Sequence, residues 1–406
     1  MQNSFMKWKS QVSHIPSIIL SFFCGCLLQA DIQWLVQSPV DYQVFQRNSS
    51  HHGEIKINGS LRGLTTTGLQ LQYRWGKGAE NVWVNLPLVI LNDGNFDASV
   101  TAPAGGWYEL NLRVTEENVP LSQYTIPHVG IGEIFVVAGQ SNSANHGAKR
   151  LQPHTGKVSS FDGIRWQLAK DPQPGASGNR GSFIPPFGDE MCRRFQVPIG
   201  IVSCGIGATS VREWLPKNSR FPNPPTLTGR VKSLPDGEWA SDGEAFNQLI
   251  HRIQALPGGR FRALLWHQGE SDANQKDPTR TLPGKLYREY LENLIDSANE
   301  VIGWPAPWFV AQVSYHNPGD ESSPDIRLAQ ASLWSDGIAL QGPDTDTLKG
   351  HFRDNNGQGV HFSQAGLLEH GRLWAEHVGN WLNLELKSQC NCSPRQQNMP
   401  DNDSRF

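Results

Sequence analysis

Four places in the 406-residue chain hold side chains whose types can do chemistry. They are Ser141 in Gly139-Gln140-Ser141-Asn142, the loop at 204–209 with Gly205 and Gly207, the run His267-Gln268-Gly269-Glu270-Ser271, and His361. Together they hold what acyl transfer requires: a hydroxyl to attack, an imidazole to take its proton, a carboxylate to orient that imidazole, and donors for an oxyanion. Each also has a plainer reading. A serine after a strand is a favoured helix N-cap, a single histidine is more often structural, a glycine loop is usually a turn, and an acid after glycine often caps a helix.

The elements around these residues decide whether they can meet. Ile134 to Ala138 form a continuous apolar run, the pattern of a central parallel strand covered on both faces, and Ser141 falls just beyond its carboxyl end. In open α/β sheets that edge is where ligands bind. Apolar runs at 199–202, 263–266, 308–311 and 338–340 predict further parallel strands. Helical periodicity over 287–301 puts Tyr290, Leu291, Leu294, Ile295 and Ala298 on one face, and 244–256 and 363–384 behave similarly, with Ser363 as N-cap of the last helix. This alternation predicts a three-layer α/β domain over 130–386.

Ahead of it, residues 31–129 read as an all-β module. The stretches 69–75 and 107–114 alternate with period two, and turn residues punctuate the gaps at Asn58-Gly59, 92–94 and Gly105-Gly106. A small β-sandwich of roughly immunoglobulin size is expected, serving either as a packed spacer or lid or as a sugar-binding module. Two stretches, 151–185 and 216–242, are rich in Pro, Gly, Ser and Asn without periodicity, and long loops of that kind are commonly functional or mobile. Residues 387–406 read as a polar, disordered tail.

The motifs in their order resemble a known family. Gly139-Gln140-Ser141-Asn142, Trp266-His267-Gln268-Gly269-Glu270-Ser271 and Val360-His361-Phe362-Ser363 are similar to the SGNH hydrolase superfamily, in its carbohydrate esterase branch of sialate O-acetylesterases and acetylxylan esterases. The resemblance spans roughly 129–384. It implies a flavodoxin-like sheet, no metal and no organic cofactor. Position by position it implies Ser141 as nucleophile and, through its N–H, an oxyanion donor. Gly207 would be a second donor, the Gln268 amide a third, and His361 the general base and then general acid. The chain departs from the pattern where many members carry Asp three residues before the catalytic histidine, because that position is Gln358, which brings no charge to an imidazolium. Glu270 is the preferred substitute and Asp354, seven residues before His361, the alternative. A Ser-His dyad backed by a backbone carbonyl is a third reading. Asn142 and Asn145 either bond substrate or fix the turn. Arg212 and Trp214 either line the substrate pocket or pack.

The expectation is therefore an exported serine esterase removing O-acetyl groups from carbohydrate, with an acetylated carbohydrate as substrate. The rival reading is a carbohydrate-binding or adhesion protein on the same fold. A lipid or thioester hydrolase of the superfamily would need a long apolar groove that no segment supplies. Gly139-x-Ser141-x-Ser143 lacks the second glycine of the α/β-hydrolase elbow. A net charge of -3 with no basic run gives no reason to expect nucleic acid or an anionic membrane as partner. Lys7 and Lys9 before an apolar segment at 15–28 read as a signal peptide over 1–30, so the mature protein is expected to be secreted or periplasmic without stable membrane insertion or a lipid anchor. Cys24 and Cys26 would leave with it, and the spacing of Cys192, Cys204, Cys390 and Cys392 matches no zinc pattern. Fourteen Trp residues are many, and most are expected in the core, although exposed ones can stack on sugars.

Overall fold

A single 21-residue strand, Val119–Gly139, is the spine of the protein. The computed structural model describes residues 31–48, 51–64, 68–76, 82–87 and 94–392. In chain order the strands are β1 (Gln33–Ser38), β2 (Gln43–Gln46), β3 (His52–Arg62), β4 (Gln70–Trp75), β5 (Val84–Asn85), β6 (Asn95–Pro103), β7 (Gly105–Glu116), β8 (Val119–Gly139), β9 (Val158–Phe161), β10 (Trp166–Leu168), β11 (Ile199–Ser203), β12 (Arg220–Phe221), β13 (Val231–Ser233), β14 (Trp239–Ser241), β15 (Ala263–His267), β16 (Trp308–Gln312) and β17 (Leu340–Asp344). The helices are α1 (Ile184–Phe195), α2 (Glu244–Gln254), α3 (Gly284–Ile302), α4 (Pro324–Ser335), the single turn α5 (Asp354–Gly357) and α6 (Gln364–Cys392).

The second half of β8 sits mid-sheet in the order β10-β9-β11-β8-β15-β16-β17. Every neighbouring pair from β9 to β17 is parallel, and β10 closes one edge antiparallel. Because side chains alternate across a strand, the apolar run of β8 is sorted onto two faces. Ile134, Val136 and Ala138 pack with Phe246, Leu249, Leu291, Leu294 and Ile326 from α2, α3 and α4. Phe135 and Val137 pack with Phe187, Met191, Trp374 and Val378 from α1 and α6. A strand covered on both faces must be apolar throughout, which is why its sequence shows a run and not an alternation.

The first half of β8 pairs with β7 and β2, and β7 continues to β4 and β5. A separate sheet, β1-β3-β6, packs on these strands through Ile55, Ile57, Phe96, Val100, Leu110, Leu112, Val114 and Ile131. The expected boundary between 129 and 130 thus falls inside one continuous strand. The β layers are not set off by a linker, because β8 carries its pairing straight from them into the central sheet.

Other expectations need correction. The stretches read as irregular contain structure: 151–185 holds β9 and β10, and 216–242 holds a small sheet β12-β14-β13. These strands are three or four residues long or shorter, too short for periodicity to register. Helices α1 and α4 were not foreseen, since each begins among prolines that read as loop; proline is tolerated in a first helical turn. The strand expected at 338–340 begins at Leu340. Helix α6 runs on through 387–392, into the segment read as tail, because the polar residues there are helix-compatible and lack Gly or Pro. The signal segment 1–30 and residues 393–406 lie outside the described residues. Among the described residues no helix is long and apolar enough to cross a membrane.

Candidate active site

The site forms where β8 and β15 end side by side. Gly139 pairs with His267 across these strands. It has φ +124°, and a Cβ there would lie 2.1 Å from the His267 carbonyl oxygen. Only glycine combines that backbone with that approach. The chain then turns, and Ser141 opens a 3-10 turn, Ser141–Ser143. The N–H groups that begin such a turn have no partner within it, so the Ser141 N–H is placed to donate outward.

Gln140 locks this turn to the next strand end. Its N–H donates to the His267 carbonyl (2.9 Å), and its Oε1 accepts from the N–H of Ser271 (3.0 Å). Asn142 ties three pieces together, its Nδ2 donating to Glu270 Oε1 (3.0 Å) and to the Val360 carbonyl (3.2 Å). Asn145 is fully buried and bonds the Gln173 backbone N–H and carbonyl. Both asparagines tie the loops together through these bonds, while Asn142 Oδ1 is buried without a partner among the described residues.

A cleft of about 660 Å³ opens over these strand ends, lined by Ser141, Gly207, Glu270 and His361 of the sequence-based set, with His146, Ser177, Arg230, Gln275 and His316. A second hollow of about 530 Å³ adjoins it and shares Gln275 and His316 with it. Among the described residues there is no cluster of three or more His, Cys, Asp or Glu able to hold a metal.

The geometry departs from the expected arrangement at three points. First, the carboxylate beside His361 is Asp354 and not the preferred Glu270. Asp354 Oδ2 lies 3.8 Å from His361 Nδ1, and the turn between them folds back because Asn355 and Asn356 adopt left-handed backbone. Asparagine tolerates that conformation better than most residues. Glu270 is buried, bonded to Asn142, with its Oε2 unpartnered. Burial pushes its carboxyl up from the usual range. Second, the Gln268 amide does not face the cleft. It is fully buried, and its Nε2 donates to Asp272 Oδ2 (2.7 Å) and the Thr209 carbonyl (3.1 Å). Third, Arg212 and Trp214 pack. Arg212 donates to the Asn223 and Arg280 carbonyls and pairs with Asp272 at 3.2 Å, while Trp214 stacks edge-on against Trp266 in the core. The local cause is Asp272, which also accepts from Ser210 Oγ and the Val211 N–H and so draws this whole turn inward.

Of the cleft residues that escape sequence reasoning, two are in contact with each other. His146 stacks on His361 with ring centroids 5.4 Å apart, and its Nε2 is 3.1 Å from Ser177 Oγ. Burial, then His361 and Arg180, hold the His146 imidazole below its ordinary pKa. Ser177 sits between Gly175 and Gly178, both with positive φ. That glycine pair marks a turn in the sequence, but nothing in it says where the turn points.

The family model for carbohydrate esterases described as sialic acid-specific acetylesterases matches residues 131–380. No curated protein matches the chain. Among solved structures it is similar to XAC1771, described as a novel carbohydrate acetylesterase from Xanthomonas citri, with a TM-score of 0.50, 17% identity, and 86% of this chain and 75% of that chain covered. It is also similar to NanS (TM-score 0.41, 14% identity, 62% and 98% covered). A third similar structure is a carbohydrate esterase family 2 enzyme plus carbohydrate binding domain from Corynascus thermopiles (Myceliophthora fergusii), at 0.36 and 12%, with 87% and 99% covered. Only the first likeness bears on the fold. With more than half of its length matched, the chain belongs to the carbohydrate esterase family of sialic acid-specific acetylesterases and is a carboxylic ester hydrolase.

Proposed function

We propose that the protein is an exported serine esterase that removes O-acetyl groups from a carbohydrate through an acetyl-enzyme. The observation that carries this reading is that Ser141 and His361 line one cleft, with Asp354 behind the imidazole at 3.8 Å. Ser141 Oγ attacks the acetyl carbonyl carbon while His361 takes its proton. The tetrahedral intermediate collapses, and the sugar oxygen leaves with the proton returned by His361. Water then attacks the acetyl-enzyme with His361 again as base, releasing acetate and restoring Ser141. Asp354 orients the imidazole and stabilises its charged form. The Ser141 N–H donates to the developing oxyanion at the start of its turn.

The sugar moiety is the natural occupant of the space beyond the acetyl group. A cleft of about 660 Å³ far exceeds what an acetyl group fills, and its wall carries Arg230, Gln275 and His316. The adjoining hollow adds Asn274, Lys276 and Asn317, which suit hydroxyl and carboxylate partners, and Asp320, which suits hydroxyls. Arg230 offers a guanidinium to an acidic sugar such as sialic acid, as the family description suggests. The export reading rests on the sequence of 1–30.

The test is acetate release from an aryl acetate and from a panel of acetylated sialosides and xylans, with wild type and Ser141→Ala. Loss of nearly all activity in the variant is expected. Retained activity, or sugar binding by wild type without any acetate release, would overturn the assignment.

A further inference from the structure

Two of the three oxyanion donors that the motifs imply are hydrogen-bonded within the protein. The Gly207 N–H, the expected second donor, already donates to Ser177 Oγ at 2.6 Å. Gly207 is packed so closely there that a Cβ would lie 2.8 Å from His146 Nε2 and 3.3 Å from Ser177 Oγ. The Gln268 amide, the expected third donor, is turned into the interior. Ser177 lines the cleft together with Ser141 and His361, and its Oγ is the atom that receives the Gly207 N–H.

Ser177 is also fixed with respect to both halves of the site. Its N–H donates to the Gly205 carbonyl, and its carbonyl accepts from the Asn145 N–H, each at 2.9 Å. One bond ties it to the loop that carries Gly207 and the other to the loop that follows Ser141. A hydroxyl has one donor hydrogen and two acceptor lone pairs. With one lone pair taken by the Gly207 N–H, the O–H is free to point either to His146 Nε2 or into the cleft.

We propose that Ser177 is a catalytic residue of the oxyanion hole, its hydroxyl accepting from the Gly207 N–H and donating to the substrate carbonyl oxygen as negative charge develops there. This rests on the esterase reading of the site. In the free protein Ser177 Oγ lies 3.1 Å from His146 Nε2, and the O–H donates there when the ring carries its proton on Nδ1. When Ser141 Oγ bonds to the carbonyl carbon, the carbonyl π electrons move to oxygen and the Ser177 O–H rotates to that oxygen. No proton changes owner in this contact. The Gly207 N–H acts through Ser177, polarising a hydroxyl that makes the direct contact, and His146 is a positioning residue that holds the hydroxyl between turnovers.

The experiment compares wild type, Ser177→Ala, Ser177→Thr and Ser177→Cys on an aryl acetate, reading kcat and KM separately. Removing a single oxyanion donor lowers kcat about 10²–10³-fold, so Ser177→Ala is expected to lose that much in kcat with little change in KM. Ser177→Thr, which keeps the hydroxyl, recovers most of it, and Ser177→Cys, a weak donor of similar size, stays low. If the hydroxyl only shields the Gly207 N–H, its removal exposes a better donor, and kcat in Ser177→Ala holds or rises; that result overturns the proposal. Should Ser177→Ala not fold, a folded Ser177→Cys with wild-type kcat overturns it equally. Wild type without esterase activity would instead sink the underlying reading of the site, so the two failures are distinguishable.

Discussion

The Asp354 N–H donates to the His361 carbonyl at 2.9 Å, and this backbone bond brings Asp354 Oδ2 to 3.8 Å from His361 Nδ1. The turn that allows this is tight. Gly359 lies so near Asp354 that a Cβ there would be 1.6 Å from Oδ1. The carboxylate is therefore delivered to the imidazole by local chain folding and not by a neighbouring strand.

This arrangement predicts unequal effects for the two candidate acids. Asp354→Asn keeps the shape and removes the charge behind His361, and kcat on an aryl acetate should fall about 10²–10⁴-fold, as when a triad carboxylate is neutralised. Glu270→Gln still accepts from Asn142, so its kcat should stay within about tenfold of wild type. Steady-state kinetics of the two purified variants decides the matter. A large loss in Glu270→Gln with Asp354→Asn near normal would reverse the assignment.

Much of this site was legible as residue types in an order: the strand of 134–138, the serine at its end, and the histidine before the last helix. The central strand could be read because its burial on both faces leaves a run without alternation. What could not be read was direction. Glu270 and Gln268 stand in the right motif, yet Asn142 and Asp272 bind them away from the expected roles. Arg212 and Trp214 follow a cleft loop but are drawn into the core by Asp272 and Trp266. Ser177 and His146 belong to the site through hydrogen bonds between segments about thirty residues apart, and no period or local propensity encodes such a pairing. The expected boundary at 129–130 falls within β8 for a related reason, since a strand shared by two sheets carries no break.

The buried Glu213 predicts a pH dependence of stability. Desolvation pushes its carboxyl up to about 7, although its Oε2 accepts from the Ser210 N–H. Between the ordinary value of 4.5 and about 7 the folded chain holds a proton that the unfolded chain has released. Stability must then fall as pH rises across that window and level off above it. At about 1.4 kcal/mol for each pKa unit, this contribution is of the order of 3 kcal/mol at most. His267 works in the opposite sense: burial lowers its imidazole to about 3, so stability is lost as pH falls from 6.5 toward that value. Glu213→Gln keeps the capping bond, since Gln serves in a capping box, and leaves His267 untouched. Urea unfolding at pH 5 and pH 7.5 should show a smaller decline for the variant than for wild type. Identical differences between the two pH values in both proteins would rule this out.

The last prediction concerns the joint between the two halves of β8. Glu133 is fully buried at the start of the apolar run, and it accepts from Arg47 Nε and Arg262 Nε, each at 2.6 Å, and from Gln46 Nε2 at 2.8 Å. Arg47 and Gln46 come from the β layers, at the end of β2, while Arg262 precedes β15 of the central sheet. One carboxylate therefore fastens both halves to the strand they share. Removing one member of a buried ion network typically costs about 3–5 kcal/mol, because the remaining charges stay desolvated. Glu133→Gln should lower the unfolding free energy by that amount. Glu133 stands six residues before Gly139, a distance of about 20 Å along an extended strand, so kcat of the folded variant should be close to wild type. Denaturant titrations and kinetics below the transition separate the two quantities. A variant of unchanged stability would mean that Glu133 adds nothing net to the joint, and one with normal stability but lost kcat would mean that it acts on the site.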